Sequence, residues 1–375
     1  MARLRLRRPR RATVVAAEAV LAVVATAVAV QSVSGYVVAG VAALAGLALL
    51  VRRRGRGLLD LLRTRLRDPE SGTAPAPPGT LPPPGPDLGL AGGLLPGLHV
   101  VEVPTRDGPG LGVIGDGQGF VVLLAVTLGA PRTWDLSELV RVLTDDPARP
   151  AAVQLLVEQS GPGRAGLAAA FPPSRTYHTL PVRGLPLWNR VLLAIRHEPA
   201  WAPETVAARG GGAVGARNAL AAVAARTAAS AARDGIGLRV LGASEVEQLL
   251  LELGDPAPGC VVSRTTLTTA TTAHTTLSVP LRDADTVGAV LRAAAELEVD
   301  RSVLSVAVSA IDHSACGVLR LVSADPETLD RAAARMSAEG WASPLPGAQR
   351  PGLVATLPLG GGARSLADLV NQERT

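Results

Sequence analysis

The sequence predicts a membrane-anchored α+β protein, with two N-terminal transmembrane helices ahead of a cytoplasmic region of two tandem α+β units. Three observations predict it. An apolar run from Ala12 to Val51 is bracketed by arginines, and a Pro/Gly-rich tract separates it from the rest. Beyond that tract, strand and helix patterns recur in the order β-α-β-β-α-β.

The apolar run is about twice the ~20 residues that one helix needs to cross a bilayer. Gln31, Ser32, Ser34 and Gly35 break it, giving segments near 13–31 and 34–51 within a hairpin spanning 12–51. Arg7, Arg8, Arg10 and Arg11 end a basic N-terminus (1–11), and Arg52, Arg53, Arg54 and Arg56 follow the second segment. Positive charge on both outer flanks predicts a multi-pass plasma-membrane protein with its N-terminus and soluble region in the cytoplasm. A cleaved signal peptide shares the basic start and apolar run, but a second run and a second Arg cluster argue against it. Glu18 could reach headgroups or pair with a partner helix. Residues 52–67 read as a basic amphipathic segment in contact with lipid. Residues 68–98 read as a linker that builds no core.

His99–Val103 and Leu111–Gly115 predict a strand pair. A first module (99–255) continues with a strand at 119–126, a helix at 136–143, and strands at 152–158 and 187–196. An Ala-rich helical stretch at 205–233, broken at Gly210–Gly212, leads to a strand at 237–241 and a helix at 244–253. The Thr/Ser run from Thr265 to Thr276 reads as an exposed edge or loop. In the second module (256–375) the pattern gives a strand at 274–281, a helix at 284–297, strands at 303–311 and 317–322, a helix at 326–339 and a strand at 353–357. Two βαββαβ orders in tandem predict two ferredoxin-like units.

Composition limits the chemistry. The 375 residues carry a net charge of +5, and no Lys is present, which excludes a Walker lysine and a Schiff-base lysine. Residues 1–67 hold 13 Arg against Glu18 and Asp60, so the remaining chain is mildly acidic and the basic pI does not predict a nucleic-acid-binding domain. Cys260 and Cys316 form no disulfide framework. Gly210-Gly211-Gly212-Ala213-Val214-Gly215 satisfies G-x-G-x-x-G, but it does not follow a strand directly, as a dinucleotide fingerprint requires. His313 and Cys316 lack a second pair of ligands for a tetrahedral metal site. No catalytic residue, cofactor or metal is predicted.

The Arg-flanked hairpin, the basic segment after it and the soluble region from about His99 to Asp255 resemble the EccE component of the type VII (ESX) secretion system of actinobacteria, and the region after Asp255 matches it less clearly. The strings that carry the resemblance are Val113-Ile114-Gly115-Asp116-Gly117, Val153 to Gln159, and above all Arg196-His197-Glu198-Pro199 through Pro203 to Gly212. The resemblance implies a structural, non-catalytic subunit of a membrane export complex, assembled with EccB-, EccC- and EccD-like proteins. Arg209, Gly210, Gly211 and Gly212, with Glu18, are then the candidate partner contacts. The alternative is a membrane-tethered enzyme or ligand-sensing module built around the Gly210–Gly215 loop.

Overall fold

In the computed structural model the described residues are 52–53, 56–57, 88–105, 110–127, 136–160, 188–282, 284–311 and 313–361. The chain divides into Met1–Pro69 and Glu70–Thr375. In the first unit, β1 (Arg52–Arg53) pairs antiparallel with β2 (Arg56–Gly57), so Arg52, Arg53 and Arg56 lie in a two-residue ladder. Arg7, Arg8, Arg10, Arg11, Glu18, Arg54 and the whole hairpin expected at 12–51 lie outside the described residues.

The second unit contains α1 (Gly89–Leu94), β3 (His99–Val103), β4 (Leu111–Gly115), β5 (Phe120–Thr127), α2 (Leu136–Asp145), β6 (Ala152–Ser160) and β7 (Trp188–His197). Next come α3 (Pro203–Ala207), α4 (Gly212–Arg233), β8 (Gly237–Val240), α5 (Ala243–Gly254), β9 (Val261–Val262) and β10 (Leu267–Thr268). It ends with β11 (Ala273–Val279), α6 (Ala284–Ala295), β12 (Arg301–Ser309), β13 (Ala315–Ser323), α7 (Pro326–Ala338), β14 (Ser343–Pro344) and α8 (Gln349–Ala355).

The expected architecture is corrected here. Among the described residues no helix is long and apolar enough to cross a membrane. In place of separate ferredoxin-like units, the described residues form mainly one large antiparallel sheet. Its order is β3-β4-β5-β7-β6-β12-β13-β11-β10-β9, with β8 also on β5 and β14 also on β11. The two stretches of chain join where β6 pairs with β12, from Ala152↔Ser309 to Ser160↔Arg301. All of β6 is buried, so as a free edge it would leave a row of apolar side chains and backbone groups uncovered. Pairing it with β12 removes that edge. A contact between residues about 150 positions apart leaves no mark in local sequence order.

Alternation along the strands separates two faces. Val153, Leu155, Leu193, Leu304 and Leu319 point to one face and pack against Leu220 and Val223 of α4, Val290 of α6 and Leu329 and Met336 of α7. Leu156, Leu192, Ala194 and Val303 point to the other, beneath Leu249 and Leu250 of α5, Leu90 of α1 and Leu353 of α8. The strands are therefore covered on both sides, which explains their near-continuous apolar runs. Helix starts follow local chemistry. The Asp325 side chain accepts from the amides of Glu327 and Thr328, and Pro326 occupies the first turn of α7.

Three local expectations are corrected. The segment at 88–98 is not a bare spacer, since Leu88, Leu90 and Ala91 are buried and α1 packs on α5. Residues 353–357 are not a strand; Leu353 lies in α8, and it and Leu357 are buried at a spacing of one helical turn. The Thr-rich run is not an exposed edge throughout, because Thr269, Thr275 and Thr276 are buried.

Gly112 sets how closely α5 approaches β4. A Cβ there would stand 2.7 Å from the Gly242 carbonyl oxygen and 2.8 Å from a Val246 methyl. Gly112→Val is expected to lower stability by about 1–3 kcal/mol through overpacking, read as a lower urea midpoint.

Candidate functional site

The face beneath α1, α5 and α8 carries a line of buried polar side chains, placed there by strand alternation. Arg196, next to last in β7, is fully buried. It donates to both Asp116 oxygens at 2.8 and 3.2 Å, to Glu198 at 2.9 Å and to the Leu359 carbonyl at 3.3 Å. Asp116 also accepts from the amides of Gln118 and Gly119. Burial pushes the Asp116 carboxyl up, but Arg196 and the two amides hold it below the usual carboxylate range. Burial likewise opposes the charge on Arg196, and the two carboxylates more than restore it.

Gln154 occupies the seam between β6 and β12. Its amide nitrogen donates to Ser305 Oγ across the seam at 2.8 Å and to the carbonyls of Ala355 and Leu357 at 3.0 Å. Its oxygen accepts from the Gly361 amide at 3.1 Å. Four residues along the same face, Glu158 accepts from Arg190 at 2.6 and 2.9 Å and from Arg301 at 3.3 Å. Arg301 also donates to the Glu252 carbonyl, and Arg320 to the Leu253 carbonyl at 2.6 Å, so two arginines of β12 and β13 hold the C-terminal end of α5. Arg320 is fully buried, and its Nε and Nη1 have no hydrogen-bond partner among the described residues.

Asp255 follows α5 with a φ of +100°, and its carboxylate accepts from the hydroxyls of Thr269, Thr271 and Thr272 at 2.8, 3.0 and 2.5 Å. His274 Nε2 lies 3.0 Å from Thr272 Oγ1 and 3.7 Å from Asp255 Oδ2. Both oxygens meet the same ring nitrogen. A hydrolytic triad needs the hydroxyl and the carboxylate on opposite nitrogens, so this cluster cannot relay a proton from Thr272 to Asp255 through the ring. Burial pushes the Asp255 carboxyl up, and the adjacent His274 ring together with hydrogen bonds from Thr272, Ala257 and Thr269 brings it well below its usual range. The arrangement fixes the turn after α5 rather than activating a nucleophile.

The expected partner contacts lie elsewhere. Arg209, Gly210, Gly211 and Gly212 form the turn between α3 and α4, about whose first residues the chain is partly exposed. The three glycines have φ values of +108°, +70° and +51°, and around Gly211 there is open space. Arg209 bonds the Thr205 carbonyl, and its own carbonyl accepts from Asn218. The strand before this turn ends at His197, so the glycines open a helix without the strand that a dinucleotide fingerprint requires. Among the described residues no group of three or more His, Cys, Asp or Glu could hold a metal ion.

Residues 186–279 match the family model for EccE of the type VII ESX secretion system translocon. The resemblance to EccE is thereby shown for this stretch. It runs through β7, α3, α4, β8 and α5 to the last residue of β11, and so includes Arg190, Arg196, the Arg209–Gly212 turn, Asp255 and His274. No curated protein was found to match the chain. Sequence reasoning missed the buried polar line within and beside this matched segment. Its signal was present: Gln154 and Glu158 interrupt an apolar strand at even spacing, and Arg320 stands between Leu319 and Leu321.

Two buried histidines give the matched segment a pH dependence. Burial lowers the rings of His197 and His274 to about 4, and nearby arginines act in the same direction. Each ring binds a proton more readily in the unfolded chain, so stability present above pH 6.5 is lost as the pH falls towards 4. Acidification over that window is expected to remove about 1–3 kcal/mol per histidine, and His274→Asn should flatten the slope in urea titrations at stepped pH.

Proposed function

We propose that this protein is a structural, non-catalytic subunit of a type VII secretion membrane complex, working beside EccB-, EccC- and EccD-like subunits. The match to EccE over residues 186–279 carries the reading. The placement of that segment supports it. Its buried charged groups bond turns and neighbouring segments, Arg196 to Asp116 and Glu198 and Asp255 to Thr269, and so serve structure. The Arg209–Gly212 turn is the proposed partner contact, because its backbone is open and a positive φ excludes bulky side chains there.

Purification of the full-length chain in mild detergent tests the assignment. EccC- or EccD-like proteins are expected to travel with it through size exclusion, and a chain that always migrates alone would sink the idea. Arg209→Asp tests the contact separately. Partner recovery should fall several-fold while stability falls by no more than about 1 kcal/mol, the scale of the one Thr205 hydrogen bond lost. Unchanged recovery would place the contact elsewhere.

A further inference from the structure

The sheet has a near-twofold arrangement that brings two straps across one seam. Strands β5, β6, β7 and β8 stand in the order β8-β5-β7-β6, and β11, β12, β13 and β14 in the order β14-β11-β13-β12. Each set is followed by a helix on the same face, α5 in the first and α8 in the second. Each of these helices ends on residues of the other set. Leu253 and Glu252 of α5 are held by Arg320 and Arg301, from β13 and β12. Ala355, Leu357 and Leu359, at and beyond the end of α8, are held by Gln154 and Arg196, from β6 and β7.

We propose that α5 and the segment 349–361 form a reciprocal latch, a two-state element in which release of either strap loosens the other. The anchors form one contiguous network. Gln154 and Glu158 share a face of β6, and Ser305 and Arg301 share the facing side of β12. Leu250, Leu253, Leu353, Leu357 and Leu359 belong to one apolar cluster, and α1, which contributes Leu90 and Ala91 to it, packs on both α5 and α8 and so links the two straps. The closed state also carries a cost. Arg320 is sealed from water with one of its hydrogen bonds made and two nitrogens unpartnered, a penalty that opening relieves. Gly360 marks how tightly the second strap closes: its φ is +68°, and a Cβ there would stand 2.5 Å from Arg196 Cβ.

Hydrogen exchange read by mass spectrometry on the full-length chain tests this latch, whatever the outcome for partner binding. Gln154→Leu removes three contacts of the 349–361 strap and the bond to Ser305, and none made to α5. It is expected to speed exchange at least tenfold in 349–361 and comparably in 243–254, the scale set by losing the three strap hydrogen bonds of Gln154. Acceleration confined to 349–361 would overturn the proposal. Should Gln154→Leu unfold the whole sheet, Gly360→Ala decides, since its methyl presses the strap away from Arg196 of β7 and meets neither the β6–β12 seam nor α5. Arg320→Met removes an anchor of α5 and is expected to speed exchange in 243–254 and, through the latch, in 349–361. Acceleration confined to 243–254 would overturn the proposal.

Discussion

Two strands buried on both faces, β6 and β12, would each present a full row of unpaired N–H and C=O groups if the chain folded as separate modules. Such an edge is a template for aggregation. Pairing the two along nearly their whole length satisfies those groups and fuses the strands into one plate. Other features follow from that fusion. Gln154 becomes a buried amide that needs partners, and it finds them in Ser305, two strap carbonyls and one strap amide. All of its polar capacity on the protein side is directed at joining β6, β12 and the C-terminal strap.

The same logic explains why charge survives inside. A buried carboxylate is costly unless bonded, and Glu158 is bonded by arginines from strands on either side of it, β7 and β12. Arg196 is likewise enclosed by Asp116 and Glu198. Such groups add little net stability compared with apolar replacements, but they penalise any register that separates them. A one-residue slip of β6 against β12 would carry Gln154 and Glu158 to the opposite face, among Leu and Val side chains. The polar line thus specifies the alignment that apolar packing alone leaves loosely determined.

Legibility of the fold followed the range of the forces involved. Elements with local signals were readable, among them α7 with Asp325 and Pro326 at its start and β12 and β13 with their apolar runs. The α8 segment was misread because Leu353-Val354-Ala355-Thr356-Leu357 is short, apolar and ambiguous between the two periodicities. Proline and glycine around 89–97 masked α1, whose burial against α5 comes from tertiary contact and not from propensity. The seam itself had no local trace. The Arg196–His197–Glu198 string was noticed as a resemblance, while the physical role of Arg196 emerged only once Asp116, 80 positions away, was seen beside it.

An unusual composition ties these points together. Aromatic residues are only 2% of the chain, so large rings are scarce as filler between the sheet and its covering helices. Long polar side chains take that part. Arg196, Arg301, Arg320 and Gln154 extend from the strands to backbone carbonyls of the covering segments. Arginine suits this better than lysine, because one rigid planar group can bond a carboxylate in the sheet and a carbonyl above it together. Arg196 does so with Asp116 and Leu359. A chain without lysine and nearly without aromatics therefore fastens its layers by directional bonds at a few points. Fastening of that kind leaves the apolar packing of Ala, Val and Leu to supply cohesion, and leaves the polar line to determine which layer sits where.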